Sequence, residues 1–380
     1  MITASQQKTI TKKQPSTTPG TNRLWWQSLI QAAVIACVCI AGLELFLQAA
    51  GVGMEEIIQP DQTLGTKHIP NKLVIWRMEG FSRGLLNSAG MRDNEHPIAK
   101  PEGTFRIALL GDSTTEGLQV PLEATYGAQL QNLFHTQGLR TEVINFACSG
   151  YSTGQEVLQF EQQVAQYRPD LTIVLYNRDA VENVRKPTDF SCEPRPYFYL
   201  DHNNILHQDN AILQAYESAL QPNAVQDFLR RNSRIYGILS HTDMNLSIHE
   251  ALYRKLRGIA LKPFAPRFPK LKPTDAPYPL QDSTAVTAAL LERLNNDCAN
   301  AHSKLVVVAF PNVVNDPVLA QQIDHFARLA QKDHFGWFDL TPTFRWNPDP
   351  MSLFLQYHFS AKGHRIVAEQ IADYLNKASP

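Results

Sequence analysis

The chain opens polar and then turns apolar without interruption. Residues 1–23 are rich in Thr, Gln and Pro and carry Lys8, Lys12, Lys13 and Arg23 with no acid, the composition of a disordered tail. From Leu24 to Leu43 no charged residue occurs. At about 1.5 Å per residue that stretch matches the ~30 Å hydrocarbon core of a bilayer. Trp25 and Trp26 stand at its start, where interfacial aromatics belong, and Glu44, Glu55 and Glu56 follow it. The pattern predicts a single transmembrane anchor over 24–50. The positive-inside rule then puts the tail in the cytoplasm and the rest of the chain on the other side. The small residues of Gln48–Gly51 leave a cleaved signal peptide as the alternative, and the body is exported in both cases.

Residues 51–103 hold many helix and strand breakers and no strong period, which reads as a linker that packs onto the following domain. From Phe105 the pattern becomes regular. FRIALLG is a short apolar run ending in Gly, the form of a buried parallel strand, and Thr141–Phe146, Leu171–Tyr176, Ser303–Phe310 and Trp337–Leu340 continue the series. Between them, Pro121–Gln137 and Gln155–Tyr167 read as helices, and Gly363–Asn376 closes the chain as another. Strands alternating with helices imply a mostly parallel five-stranded sheet covered on both faces, an α/β domain over 104–380. The alternation stops over about 185–279. There, helical patterns at Asn210–Leu220, Ala224–Leu239 and Leu246–Leu256 and a Pro-rich stretch, Lys262–Pro279, read as a helical insertion or cap.

Composition narrows the class. The chain has 380 residues with 35 basic and 36 acidic side chains, and no run of like charge after the N-terminal tail, so nucleic acid is not an expected partner. None of the five cysteines stands in a CxxC or Cys/His spacing, so no metal is expected. Cys37 and Cys39 fall in the apolar stretch. An oxidising compartment would allow one disulfide, Cys192–Cys298, and three free buried thiols is the equal alternative.

The candidate chemistry gathers where the strands end, which is where open parallel sheets place their sites. The first ends in Gly111-Asp112-Ser113-Thr114, the second in Asn145 and then Ala147-Cys148-Ser149-Gly150, the third in Asn177-Arg178-Asp179, and His358 precedes the last helix. A serine hydroxyl needs an adjacent base to become a nucleophile, and histidine is the usual one. A tetrahedral oxyanion needs fixed donors, which Ser113 N–H, a close-approaching Gly150 N–H, and Asn177 or Arg178 could supply. Asp112 reads as structural, and Asn145 and Asp179 as loop holders.

GDSTTEG, NFACSGYST, RDAVEN and HFSAKGHRIVAE, in that order, resemble the four conserved blocks of the SGNH/GDSL hydrolases over roughly Arg106–Leu375, the insertion aside. The resemblance implies a flavodoxin-like three-layer α/β/α sandwich and ester or acyl-transfer chemistry without a cofactor. Ser113 is the implied nucleophile and His358 the implied base. The LNSAGMRD stretch from Leu86 and the anchor look like the membrane-tethered bacterial branch, often tied to envelope or exopolysaccharide modification. Two positions depart from the family. Its acid, three or two residues before the histidine, is replaced by Leu355 and Gln356, leaving a Ser–His dyad or help from Asp349. Arg178 falls where its asparagine is expected. The expected function is an extracytoplasmic esterase acting on an acylated carbohydrate or lipid. An O-acyltransferase and a non-catalytic glycan- or partner-binding module are the alternatives.

Overall fold

The computed structural model describes residues 21–52, 57–184, 195–211, 232–240 and 281–378, with a few isolated positions between 213 and 229. The described elements run α1 (Thr21–Ala50), β1 (Ile58–Asp61), β2 (Gly65–His68), β3 (Leu73–Trp76), β4 (Ser82–Leu85), β5 (Phe105–Leu110), α2 (Ser113–Glu116), α3 (Tyr126–Thr136), β6 (Thr141–Asn145) and α4 (Thr153–Gln159). They continue with β7 (Leu171–Tyr176), α5 (Ala180–Asn183), β8 (Tyr197–Leu200), β9 (Leu206–Asp209), α6 (Arg234–Ser240), α7 (Ser283–Asn300), β10 (Lys304–Ala309), α8 (Pro317–Asp333), β11 (Gly336–Asp339), α9 (Thr341–Arg345) and α10 (Ala361–Ala378).

The central sheet has five parallel strands in the order β11-β10-β7-β5-β6. Counted from its first strand that is the doubly wound order 2-1-3-4-5, and the order reverses between β5 and β7. The sheet is buried on both faces, so its strands read as continuous apolar runs rather than alternating ones. Within β5 the alternation is still present in space. Ile107 and Leu109 pack with Tyr126, Leu130 and Phe134 of α3 and Val367 and Ile371 of α10. Ala108 and Leu110 pack on the other side with Val157 of α4, Leu290 and Leu294 of α7 and Phe326 of α8. This is the expected α/β/α layering. Helices α7 and α8 were not anticipated. Each begins at an aspartate, Asp282 and Asp316, whose carboxylate accepts from two N–H groups of the first turn.

Residues 57–98 are more than a connection. They form two antiparallel hairpins, β1–β2 and β3–β4. They are fastened to the sheet by buried charge. Arg106 on β5, fully buried, donates to the carbonyls of Pro97, Ile98 and Tyr167 and pairs with Glu142 at 2.7 Å. His96 pairs with the same Glu142 at 2.7 Å. Arg92 donates to the carbonyls of Glu116 and Val120. Asn87 accepts from the N–H groups of Ala89 and Met91, which closes the turn at Gly90 (φ +81°) and explains the LNSAGMRD pattern as a turn that delivers Arg92.

Helix α1 is long and apolar enough to cross a membrane. The stretch Trp25–Ala50 has a mean hydropathy of 2.3, and the body does not bury it. Its C-terminal end touches the body in two places. Glu44 accepts from Ser233 Oγ and from the N–H groups of Arg234 and Ile235 at the start of α6, and Arg77 donates to the carbonyls of Ala50 and Gly51. The predicted helices Asn210–Leu220 and Ala224–Leu239 are described only in part, and Leu246–Leu256 and Lys262–Pro279 lie outside the described residues. Cys298 is a free, buried thiol, so the Cys192–Cys298 disulfide is not formed; Cys192 itself lies outside the described residues. Burial among Leu290, Leu291 and Leu294 pushes the Cys298 thiol up to about 12.

Candidate active site

Ser113 is the first residue of α2, at the carboxyl end of β5 and beside the point where the strand order reverses. Asp112 caps this short helix by accepting from Thr114 N–H at 2.8 Å, which leaves the serine facing out of the turn. The preceding Gly111 leaves no room for a side chain: a Cβ there would stand 2.2 Å from Thr115 Oγ1. The Ser113 N–H, at the helix start, donates to no protein acceptor among the described residues. It is one of the orphan donors of a helix N-terminus.

His358 reaches Ser113 from the other end of the chain. Its Nε2 lies 2.8 Å from Ser113 Oγ. The ring is presented by a tight reversal in which Phe354 and Phe359 bridge and Leu355 N–H donates to the His358 carbonyl. The Gly and His that follow the candidate base have physical explanations. A Cβ on Gly363 would meet the Leu353 carbonyl at 2.1 Å, so α10 can start this close only with glycine. His364 is buried against Tyr126, accepts from the Tyr126 N–H through Nδ1, and fixes the reversal against the start of α3. Burial, with Arg92 and His358 adding positive charge nearby, pushes its pKa down to about 3, so it is a neutral packing residue.

The acid missing from the His358 segment is supplied from far upstream. Glu79 Oε2 stands 2.6 Å from His358 Nδ1 and also accepts from the Tyr357 N–H at 3.4 Å. A carboxylate only accepts, so Nδ1 carries the imidazole proton and Nε2 is left as the acceptor facing Ser113. Glu79 sits in the turn between β3 and β4 with a left-handed backbone (φ +58°). The next residue, Gly80, lies against the Gln119 carbonyl, where a Cβ would come within 2.3 Å. Neither a Ser–His dyad nor Asp349 describes this geometry. The chain places Ser113, His358 and Glu79 in the serine–histidine–acid arrangement, with the acid 279 residues before the histidine. Sequence reasoning missed it because it treated 51–103 as a connection. The one available signal is an acid-glycine pair between two short runs, LVIW and SRGL, which resembles a hairpin turn.

The candidate oxyanion side divides. Gly150 is exposed, has a left-handed backbone (φ +82°), and its N–H has no protein acceptor among the described residues. Its neighbour Ser149 is held by Glu116, which accepts from both its N–H and its hydroxyl. Glu116 is fully buried and 3.0 Å from His68 on β2. Burial alone would raise its pKa, but the His68 charge, the Ser149 bonds and Arg92 bring it below the ordinary carboxylate range. Against its own burial, Cys148 and Glu116 raise His68 well above the ordinary imidazole value. The N-terminal segment therefore buttresses the loop that carries Gly150.

Asn177, at the end of β7, lies beside Ser113, but its amide donates to Asp112 at 2.7 Å and to Thr114 Oγ1 at 3.0 Å. Arg178 does not enter the site. Its backbone is left-handed (φ +59°) and its half-exposed guanidinium turns outward to pair with Asp316 at 2.8 Å. Asp179 accepts from the N–H and hydroxyl of Thr153 and so holds the start of α4 beside the glycine loop. Burial raises its carboxyl to about 6. Asn145 ties the end of β6 to the Thr115 carbonyl at 3.0 Å. Among the described residues no His/Cys/Asp/Glu group has the form of a metal site.

No family model matches the chain. A stretch of 76 residues is 30% identical to an arylesterase of Vibrio mimicus, covering 20% of this chain and 38% of that protein. The chain thus matches well under half the length of that relative. Among solved structures it is similar to TesA, with 11% identity over 72% of this chain and 98% of the other and a TM-score of 0.40. It is also similar to a GDSL-like lipase from Bacteroides thetaiotaomicron, with 11% identity, 72% and 88% coverage and a TM-score of 0.37. A third similar structure is the acetyl xylan esterase AlAXEase, with 12% identity, 71% and 100% coverage and a TM-score of 0.39.

Proposed function

We propose that the protein is a membrane-anchored serine ester hydrolase whose body works outside the cytoplasm on O-acylated envelope glycans. The observation that carries the reading is the continuous chain Ser113 Oγ–His358–Glu79, with contacts of 2.8 and 2.6 Å. In the proposed reaction His358 Nε2 takes the Ser113 proton as the hydroxyl oxygen attacks the ester carbonyl, and Glu79 stabilises the imidazolium that forms. The N–H groups of Ser113 and Gly150 receive the oxyanion, with the Asn177 amide beside them as a third donor if it leaves Asp112. His358 then gives its proton to the departing alcohol, and water repeats the sequence on the acyl-enzyme, releasing the acid and restoring Ser113. No step needs a cofactor. The apolar α1 and the basic residues before it support the anchor and its orientation. The glycan as acyl carrier follows from the resemblance of the sequence blocks, an analogy of family rather than a property of the site.

The test is labelling of the full chain with a fluorophosphonate and location of the adduct by mass spectrometry. Labelling at Ser113 that disappears in His358→Ala is the expected result. A folded protein that does not label would leave a binding module as the reading. Product analysis with a sugar acceptor separates hydrolysis, which yields free acid, from acyl transfer.

A further inference from the structure

The β3–β4 turn has a second attachment besides His358. Two residues before Glu79, the Arg77 Nε and Nη2 donate to the carbonyls of Gly51 and Ala50 at 3.1 and 3.0 Å. These belong to the C-terminal end of α1, where a helix leaves carbonyls without intrahelical partners. The same guanidinium lies 5.7 Å from the ring centroid of Phe81. The turn 77–81 therefore grips the end of the apolar helix with one residue and the candidate base with another.

Helix geometry sets the height of this turn. Trp25 to Glu44 is about 30 Å of helix, the thickness of a hydrocarbon core. Glu44 is the first charge after it, and its carboxylate is already satisfied by Ser233, Arg234 and Ile235. From Glu44 to Gly51 the chain rises about 10 Å more, which carries it just past the roughly 5–8 Å of one headgroup layer. Arg77 thus fixes the Glu79 turn where the headgroups end. Large apolar side chains stand exposed around it: Met78 (50%), Phe81 (57%) and Tyr357 (71%), whose N–H bonds Glu79. Water exacts a cost for such a cluster that a lipid interface removes.

We infer that this face, formed by the β3–β4 turn and the His358 reversal, rests on the bilayer surface, and that the ester it takes is an O-acyl group on the headgroup of a membrane-borne glycolipid. The inference rests on the serine-esterase reading for its chemistry and on the anchor reading of α1 for its geometry. It makes the membrane part of substrate delivery, since enzyme and substrate share one surface and meet at a high effective concentration.

The experiment places the full chain in phosphatidylcholine nanodiscs with the photo-crosslinking residue p-benzoylphenylalanine at Phe81, at Tyr357, or at Leu139. Leu139 is an exposed residue that leads into β6 at the opposite, amino-terminal edge of the sheet. Lipid adducts at the first two positions and none at the third are expected. Adducts to a second protein copy instead, equal lipid yields at all three positions, or no lipid adducts overturn the placement. In the same discs, an O-acetylated glycolipid should be hydrolysed with a kcat/KM about tenfold or more above that of the same acetylated sugar freed from its lipid. Equal or reversed rates overturn the substrate class. Ser113 labelling, measured on the same preparation, keeps the two readings apart. Lipid adducts without labelling would overturn the ester chemistry alone, and labelling without lipid adducts would overturn the membrane face alone.

Discussion

Glu79 stands in a left-handed turn packed closely at Gly80, and its carboxylate is held by His358 and the Tyr357 N–H. Glu79→Gln should keep the turn but offer His358 an amide that can hold the wrong tautomer. We expect kcat to fall by about 10²- to 10⁴-fold, with little change in thermal stability. Steady-state hydrolysis of a soluble ester beside a melting curve checks both parts. His364 gives a second prediction, on stability. Its imidazole is buried with a pKa near 3, against 6.5 when exposed, so the unfolded chain binds a proton that the folded chain refuses. Stability should therefore drop as pH falls from 6.5 toward 3, by on the order of 4 kcal/mol at most from this group. His364→Asn, whose Oδ1 can accept from Tyr126 N–H, should flatten that acid limb in melting curves taken across the range. At this scale the pairing of Ser113 with His358 was legible because Ser113 lies in the block after the first central strand and His358 opens the block before the last helix. Glu79 was not, since its role depends on a contact 279 residues away that no local pattern encodes. Arg178 stayed open between an oxyanion donor and a surface ion pair, because its place in the block says nothing about the left-handed turn that points it at Asp316.

Among the elements, the five central strands could be read from their apolar runs because both faces of a parallel sheet are covered. The hairpins of 57–85 could not. Their strands are four residues long, and β4 exposes three of its four residues, so there is little period to detect. Yet these hairpins decide whether the site is complete: β3–β4 supplies Glu79 and β2 supplies His68, which charges the Glu116 support of the Gly150 loop. Gly80→Ala tests the first. Its Cβ would fall 2.3 Å from the Gln119 carbonyl, a backbone atom with little freedom to yield, so the turn must shift and carry Glu79 with it. We expect activity to fall by at least about tenfold, the cost of misplacing a catalytic group by around an ångström. Stability should change by no more than about 3 kcal/mol, the usual range for one substitution. Activity unchanged at full expression would mean that Glu79 is not needed for turnover.

For the molecule as a whole, the apolar helix α1 and the α/β body share direct contacts. Arg77 bonds the carbonyls at the end of α1, and Glu44 caps the start of α6. An arginine at a helix C-terminus also meets the negative end of the helix dipole, which favours the contact by up to about 1 kcal/mol. Arg77→Ala in the full chain should free the hairpin from α1 without emptying the core. The expected sign is a several-fold slower reaction of Ser113 with a fluorophosphonate, because Glu79 then orients His358 for only part of the time. Arg77→Lys should recover part of the rate, since one ammonium can meet one carbonyl but cannot form the two-pronged contact. Labelling as fast as the parent in Arg77→Ala would mean that the hairpin is held by the body alone, through Ser82, which donates to the Leu118 carbonyl, and through the Gly80–Gln119 approach. The turn's grip on α1 would then have no bearing on the chemistry.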